Sequence, residues 1–198
     1  MIRSFVAVLL PAPLRERIGQ LVDGLRAQCG AVAWVPAENL HLTLQFLGGQ
    51  SEERLAEAER ALEEAAGGSA PLDVTLHGVG AFPGIERPRT LWIGLAQGAL
   101  EARALQARVA DALAARGFPR EERAWHPHLT IGRVFDERRW RREADATVRS
   151  ALAAVATTTF GTLRIGEVAL MRSDLSPRGA RYTVRRALPL AASGPAPR

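Results

Sequence analysis

The stretch LHLTLQFLG, residues 40–48, places a histidine and a threonine inside an apolar run that alternates like a β-strand. Because successive side chains of a strand point to opposite faces, His41 and Thr43 share one face. The opposite face is predicted to enter the core, and it carries Leu42, Leu44 and Phe46. This strand is therefore predicted to have one apolar side for packing and one polar side for chemistry.

The tripeptide His-Leu-Thr occurs again in HLTIGRVF, residues 128–135, about half the chain further on. The same alternation predicts that His128 and Thr130 share a face, and that Leu129 and Ile131 face the core. A single His-x-Thr tripeptide is common and is weak evidence of a site. Its repetition in two matching strands predicts two similar lobes within one domain.

Strand and helix patterns are mixed along the rest of the chain. Helical spacing of apolar residues predicts helices near residues 14–25, 51–67, 100–113 and 144–155. Further strands are predicted near residues 5–9, 31–35, 71–82, 87–95, 157–173 and 180–188. Short turns between neighbouring strands are typical of an α+β fold with antiparallel sheet. We expect two pseudo-symmetric lobes of mainly antiparallel sheet, with outer helices and an active-site cleft between the lobes.

The composition is that of a compact protein with a basic surface. Of the 198 residues 47% are apolar, and the net charge of +5 comes from basic residues that are all arginine. Cys29 is the single cysteine and cannot form an internal disulfide, so we expect a cytoplasmic protein. The N-terminal apolar run stops at Pro11 and is predicted to be a buried strand, and no segment is long enough to span a membrane. We expect a monomer with one two-lobed domain over residues 1–190 and a disordered tail over residues 191–198.

The residue types in the two motifs point to acid–base chemistry on a phosphate. Imidazole has a pKa of about 6.5, so near neutral pH one histidine can accept a proton while the other donates one. A threonine hydroxyl can donate a hydrogen bond to a non-bridging phosphate oxygen. If the two polar faces meet across a cleft, the four side chains fit cleavage of a phosphodiester without a metal ion or a cofactor.

At these motifs the sequence resembles the two-histidine phosphoesterase superfamily, and within it the RNA 2',3'-cyclic phosphodiesterase family, formerly described as 2'-5' RNA ligases. The similarity continues through FVAVLLP, WVPAENLHLTLQFLG, GVGAFPGIERPRTLWIGL, HPHLTIGRV and SDLSPRGARYTV, which follow one another in the family's order. The resemblance implies an enzyme without metal or cofactor that hydrolyses the 2',3'-cyclic phosphate end of an RNA or oligonucleotide to a 2'-phosphomonoester.

The resemblance also implies a role for each motif residue. His41 is expected to donate a proton to the leaving 3' oxygen. His128 is expected to accept a proton from the attacking water. The residues expected to bind the substrate phosphate are Thr43, Thr130 and Arg133.

Arg133 and two further histidines, His126 and His77, differ from the motif residues in their sequence context. Strict alternation puts Arg133 on the face opposite His128, so it reaches the cleft only if the strand bulges, and Gly132 is the expected place. His126 points the same way as His128, but the repeated tripeptide favours His128 as the catalyst and His126 as a structural or cleft-edge residue. His77 has no threonine two positions later and is expected to be structural or exposed.

Aromatic residues offer further contacts for RNA. Trp34 and Phe46 could stack on a base, but their apolar surroundings favour the core, and Tyr182 is the better candidate for the rim of the site. The segment DERRWRREAD, residues 136–145, surrounds Trp140 with arginines and could attract an RNA backbone. Its acidic residues are equally consistent with a solvated helix end.

Two other functions stay open at this point. The first is a zinc hydrolase with His41, His126 and His128 as ligands, which is chemically reasonable but leaves both threonines unexplained. The second is a noncatalytic RNA-binding module, suggested by the arginines and the net charge. Such a module would bind RNA in a salt-sensitive way and would be indifferent to the histidines.

Overall fold

The computed structural model describes residues 1–144, 146–177 and 179–191. The strands are β1 (Ile2–Leu9), β2 (Val32–Trp34), β3 (His41–Gln50), β4 (Leu72–Phe82), β5 (Thr90–Leu95), β6 (His128–Val134), β7 (Thr159–Ile165), β8 (Glu167–Ser176) and β9 (Gly179–Pro189). The helices are α1 (Ala12–Gln28), α2 (Glu52–Gly67), α3 (Ala99–Ala115), α4 (Glu137–Glu143) and α5 (Ala146–Ala154), with a short 3-10 helix over Ala37–Asn39. The predicted α+β class is confirmed.

The described strands form one sheet in the order β7-β4-β5-β6-β3-β1-β8-β9, with β2 paired to β6. All the recorded pairings are antiparallel. One lobe contains β7, β4, β5 and β6, and the other contains β3, β1, β8 and β9. The two lobes meet where β3 pairs with β6, and these are the two strands that carry the His-Leu-Thr motifs. The predicted pair of lobes is therefore confirmed, and the motifs lie at their junction.

Apolar faces of the helices cover one side of this sheet. In α2, Ser51 caps the first turn by accepting a hydrogen bond from the backbone N–H of Arg54 at 3.3 Å. The buried line of that helix includes Leu55, Ala58 and Leu62, at the spacing that one helix face requires. Together with the inward faces of both motif strands, these residues belong to one continuous apolar core. No helix among the described residues is both long enough and apolar enough to cross a bilayer.

The C-terminal third departs from the prediction in its strands. The single strand expected over residues 157–173 is two strands, β7 and β8, separated by Gly166. These strands belong to different lobes, since β7 pairs with β4 and β8 pairs with β1. The apolar pattern is continuous because both strands pack into the same core, so the pattern does not reveal where the chain crosses between lobes.

The arginine-rich segment, which could be an RNA-contacting surface or a solvated helix end, is a short helix. It forms α4, which begins at Asp136, where the carboxylate accepts a hydrogen bond from the backbone N–H of Arg139 at 2.8 Å. Trp140 is fully buried, so its ring is not available to stack on RNA. Two arginines of the helix form ion pairs with glutamates one turn away: Arg139 with Glu143 and Arg141 with Glu137. The Trp140 ring faces inward because it is the one apolar side chain of this short helix, whose other residues are charged.

Most of the predicted core positions of the motif strands are buried. Leu42, Leu44, Leu129 and Ile131 are each at most 1% exposed, and Trp34 also lies in the core. The tail predicted over residues 191–198 lies outside the described residues, apart from Ala191, whose backbone N–H donates to the carbonyl of Ala66 at 3.0 Å.

Candidate active site

The pairing of β3 with β6 brings the two motifs together. Leu42 and Leu129 are direct partners across these strands. The antiparallel register that this pair sets places His41 beside Thr130 and Thr43 beside His128. Since both leucines are buried, the four polar side chains emerge on the opposite face of the sheet. The histidines are diagonal neighbours across the two strands, a relation in which residues are roughly 7–8 Å apart and their Cβ atoms somewhat closer.

Each motif histidine is anchored by the carbonyl oxygen two residues before it. The Nδ1 atom of His41 lies 2.7 Å from the carbonyl oxygen of Asn39, and Nδ1 of His128 lies 2.7 Å from that of His126. A carbonyl oxygen can only accept a hydrogen bond, so Nδ1 must carry a proton and donate it in both rings. Nε2 of each ring is then the atom left for chemistry. The backbone of His126 thus takes part in the site, while its side chain is exposed.

A β-bulge in β6 turns Arg133 towards the histidines. Ile131 and Gly132 are both buried, which breaks the alternation, and the register between β5 and β6 shifts at this point. Arg133 then emerges on the same face as His128. Glycine is required here because a Cβ atom at position 132 would lie 2.6 Å from Cγ1 of Val32. The structure therefore contains the bulge that Arg133 needs to reach the cleft.

The first motif strand, β3, has a bulge at the same position. Leu44 and Gln45 are 1% and 2% exposed, and the register between β1 and β3 shifts here. Inside the protein, the Nε2 atom of Gln45 donates to the carbonyl oxygen of Pro119 at 3.0 Å. Phe46 consequently turns to the polar face and is 53% exposed. The prediction that Phe46 packs in the core is wrong, because the bulge reverses the facing of this residue.

A cavity of about 430 Å³ opens on this polar face. It is lined by four of the five predicted site residues, namely His41, Thr43, Thr130 and Arg133. His128 is not among the lining residues, although it projects from the same face beside Thr43. Its ring meets Phe82 edge-on, with the ring centroids 5.2 Å apart. The cavity therefore begins at His41 and ends next to His128.

Aromatic rings surround both histidines, and sequence reasoning identified only one of them. The predicted rim residue Tyr182 lines the cavity, and its ring lies edge-on to His41 at a centroid distance of 5.3 Å. Phe5 was missed, and its ring lies 4.8 Å from that of His41. Phe82, which contacts His128, was missed as well. Such contacts depend on which strands become neighbours, and the only local signal was the aromatic residue itself.

Burial and a nearby positive charge weaken the basicity of both histidines. Desolvation lowers the pKa of His41 below its ordinary value of 6.5, and the charge of Arg133 lowers it further, while the hydrogen bond to Asn39 opposes the change. The same causes lower the pKa of His128, where the opposing hydrogen bond is to the carbonyl of His126. Both rings are therefore mainly neutral near pH 7 in the free protein, each with an unprotonated Nε2.

His77 lies outside the site, and the geometry does not support the zinc-site hypothesis. His77 lies on β4, where its Nδ1 atom is 3.2 Å from the hydroxyl oxygen of Thr159, away from the residues that line the cavity. Among the residues that the structure describes, no three side chains of His, Cys, Asp or Glu are grouped closely enough to hold a metal ion. The set His41, His126 and His128 is thus not a preformed zinc site.

Comparisons with known proteins show the family and the fold to which the chain is similar. The 2'-5' RNA ligase superfamily matches the chain over residues 10–177. An RNA 2',3'-cyclic phosphodiesterase of Methanothermobacter thermautotrophicus is 32% identical over 182 residues, covering 92% of this chain and 95% of its own length. A protein of the same name from Archaeoglobus fulgidus is 34% identical over 180 residues, with coverages of 91% and 96%. The crystal structure of Escherichia coli LigT in complex with 3'-AMP superimposes with a TM-score of 0.73 at 26% identity, covering 96% of this chain and 98% of LigT.

Proposed function

Because the chain belongs to the 2'-5' RNA ligase superfamily, we propose that it is an RNA 2',3'-cyclic phosphodiesterase. Relatives that carry this name are 32% and 34% identical to it over more than nine-tenths of its length. The structural observation that carries the proposal is the register of β3 and β6, which sets two anchored histidines and two threonines on one face. The family resemblance that the two motifs indicated is confirmed.

The cyclic phosphate binds between the two motifs. Its negative charge is neutralised by the guanidinium of Arg133, a group suited to paired hydrogen bonds with two phosphate oxygens. The hydroxyls of Thr43 and Thr130 donate to the non-bridging oxygens, and each lies beside the histidine of the other motif. Such fixed donors stabilise the charge that builds up on these oxygens in the transition state.

The two histidines divide the proton transfers between them. Nε2 of His128 takes a proton from a water molecule, whose oxygen forms a new bond to phosphorus. The bond from phosphorus to the 3' oxygen breaks on the opposite side, and Nε2–H of His41 donates its proton to that oxygen. The product is a 2'-phosphomonoester with a free 3' hydroxyl. At the end of the reaction Nε2 of His128 is protonated and Nε2 of His41 is not. Proton exchange with solvent restores the starting state.

The electrostatics of the site suit these roles. A histidine with a lowered pKa is a stronger acid once protonated, which favours proton transfer from His41 to the departing oxygen. The bound phosphate anion opposes the influence of Arg133 and favours the protonated form of His41. His128 is neutral in the free protein and can act as the base without first losing a proton.

Product analysis on a defined oligonucleotide that ends in a 2',3'-cyclic phosphate tests the proposal. The expected product is the 2'-phosphate, and His41→Ala and His128→Ala should each lower kcat by about 10²- to 10⁴-fold. His77→Ala is the matched control, because His77 lies outside the cavity, and it should keep full activity. A 3'-phosphate product, or near-normal turnover by both motif variants, would overturn the assignment.

A further inference from the structure

Asn39 joins two distant parts of the chain at the edge of the cavity through one hydrogen bond. Its Nδ2 atom donates to the carbonyl oxygen of Ala180 at 2.7 Å. Asn39 ends the 3-10 helix that precedes β3, whereas Ala180 lies near the start of β9, and β1 and β8 lie between these two strands in the sheet. Strands are spaced about 4.8 Å apart, so a flat sheet would put β9 about 14 Å from β3. The bond therefore requires this lobe to curve, and it holds the β8–β9 hairpin over the start of β3.

The hairpin held in this way covers the ring of His41. Tyr182 follows Ala180 by two residues, and its ring lies edge-on to that of His41, with the centroids 5.3 Å apart. The same tyrosine ring lies 5.0 Å from the ring of Phe5, which in turn contacts His41. Phe5 and Tyr182 belong to a small apolar cluster that is separate from the main core. The burial of His41 therefore depends on the position of the hairpin.

Asn39 also holds His41 through its own backbone. Its carbonyl oxygen accepts the hydrogen bond from Nδ1 of the ring at 2.7 Å. One residue thus anchors the imidazole with its carbonyl group and positions the cover of the imidazole with its amide group. At the second motif the corresponding residue is His126, whose side chain is exposed, and the ring of His128 packs on Phe82 instead.

We propose that Asn39 is a positioning residue for the catalytic acid, because its side chain holds the β8–β9 hairpin against His41 and so keeps Nε2 directed at the leaving oxygen. The proposal rests on the proposed function, which makes His41 the acid. The bond from Asn39 ends on a backbone carbonyl, so it is formed without substrate. The charged or titratable residues that line the cavity beside His41 are Arg3, Arg133 and Tyr182, so Asn39→Ala changes no charge there.

The pKa of His41 in the free protein tests the proposal. Burial is the largest cause that lowers this pKa, whereas the hydrogen bond to the Asn39 carbonyl raises it. The two ways in which Asn39→Ala could disturb the ring therefore have opposite signs. Release of the hairpin should raise the pKa of His41 towards 6.5, while loss of the backbone anchor alone would lower it. The pKa of His128 should not change, and an NMR titration of the imidazole protons measures both.

Turnover of a 2',3'-cyclic phosphate gives a second readout. Asn39→Ala should lower kcat by about 2- to 10-fold, the factor that one hydrogen bond is worth. KM should stay close to the wild-type value, because Thr43, Thr130 and Arg133 keep their contacts with the phosphate. Gln28→Ala is the matched control, since the Gln28 amide donates to the carbonyl of Gly24 at 3.2 Å on an exposed part of α1. It should change neither the pKa values nor the kinetics.

Substitutions on the hairpin show whether Asn39 acts through it. Tyr182→Ala removes the covering ring directly and should also raise the pKa of His41, whereas Tyr182→Phe keeps the ring and should leave the pKa unchanged. In the double variant with Asn39→Ala and Tyr182→Ala, the pKa should be no higher than in Tyr182→Ala alone, because both changes remove the same cover.

Three results would overturn the proposal: an unchanged or lowered pKa of His41 in Asn39→Ala, an equal rise at His128, or additive shifts in the double variant. The titration needs no substrate, so it reports on the hairpin even if the proposed function fails. That failure is seen separately, as a wild-type protein that does not hydrolyse the cyclic phosphate.

Discussion

Replacing Gly132 with alanine tests whether the β6 bulge is what presents Arg133 to the site. The added Cβ atom would lie 2.6 Å from Cγ1 of Val32 and 3.0 Å from Cε3 of Trp34. Carbon atoms in contact are normally about 3.5–4.0 Å apart, so β2 must move by about 1 Å or the bulge must rearrange. Overpacking of this kind costs about 1–3 kcal/mol. For a chain of this length the corresponding fall in Tm is about 2–12 °C.

Urea unfolding measures the loss of stability, and kcat/KM on a cyclic phosphate measures the displacement of Arg133. We expect kcat/KM to fall about 10-fold or more, because a hydrogen bond to a charged group is worth about 1.5–3 kcal/mol. Adding Val32→Ala removes the clashing atom and should restore part of both losses.

Gly24→Ala is the control for this substitution, since nothing lies within 4 Å of the new Cβ atom on the exposed side of α1. It should raise the free energy of unfolding by about 0.5–1 kcal/mol, because alanine is the better helix former. A Gly132→Ala protein with unchanged stability and unchanged turnover would refute the role of the bulge.

Three further predictions concern charge and burial. Arg133→Gln should raise the pKa of both His41 and His128, because it removes a positive charge that lowers them; an NMR titration of the imidazole protons measures this, and unchanged values would contradict it. Both pKa values lie below the unfolded value of 6.5, so the unfolded chain binds protons first. The free energy of unfolding should therefore fall as pH drops through 6.5, and the fall should be smaller without the two histidines. Trp140→Ala should cost about 3–5 kcal/mol in urea unfolding and leave the salt dependence of RNA binding unchanged; a weaker salt dependence would indicate direct contact with RNA.

The alternation rule predicted the polar face of β3 only as far as Thr43. Beyond it, LQF keeps an apolar residue at every second position, so nothing local indicates an extra residue at Leu44 and Gln45. The bulge arises from pairing with β1, which lies much earlier in the chain. In β6 the family resemblance placed Arg133 in the site while alternation turned it away, and Gly132 marked the position where a bulge could resolve this conflict. The sequence therefore carried a local signal, Gly132, for the bulge before Arg133, but none for the bulge before Phe46.

The sequence indicated some other features of the fold and the site only in part. The strand predicted over residues 157–173 was longer than the 3–10 residues that strands usually have, and this length could have indicated the break at Gly166. The carbonyl groups that anchor the histidines could not have been predicted, since every residue carries one. The motif residues could be identified from the sequence because the same tripeptide occurs twice, each time in a strand-like run. The structure places the two copies on paired strands.

The shared bulge has a consequence for the origin of the site. A local two-fold axis passes between Leu42 and Leu129 and relates one motif, one carbonyl anchor and one bulge to the other. If both halves descend from one ancestral segment, two identical copies of that segment would assemble the same pair of histidines as a homodimer. Such an ancestor could not distinguish the two sides of a phosphate. The present site is asymmetric, with Phe46 after one bulge and Arg133 after the other, so its two sides differ in the groups they present.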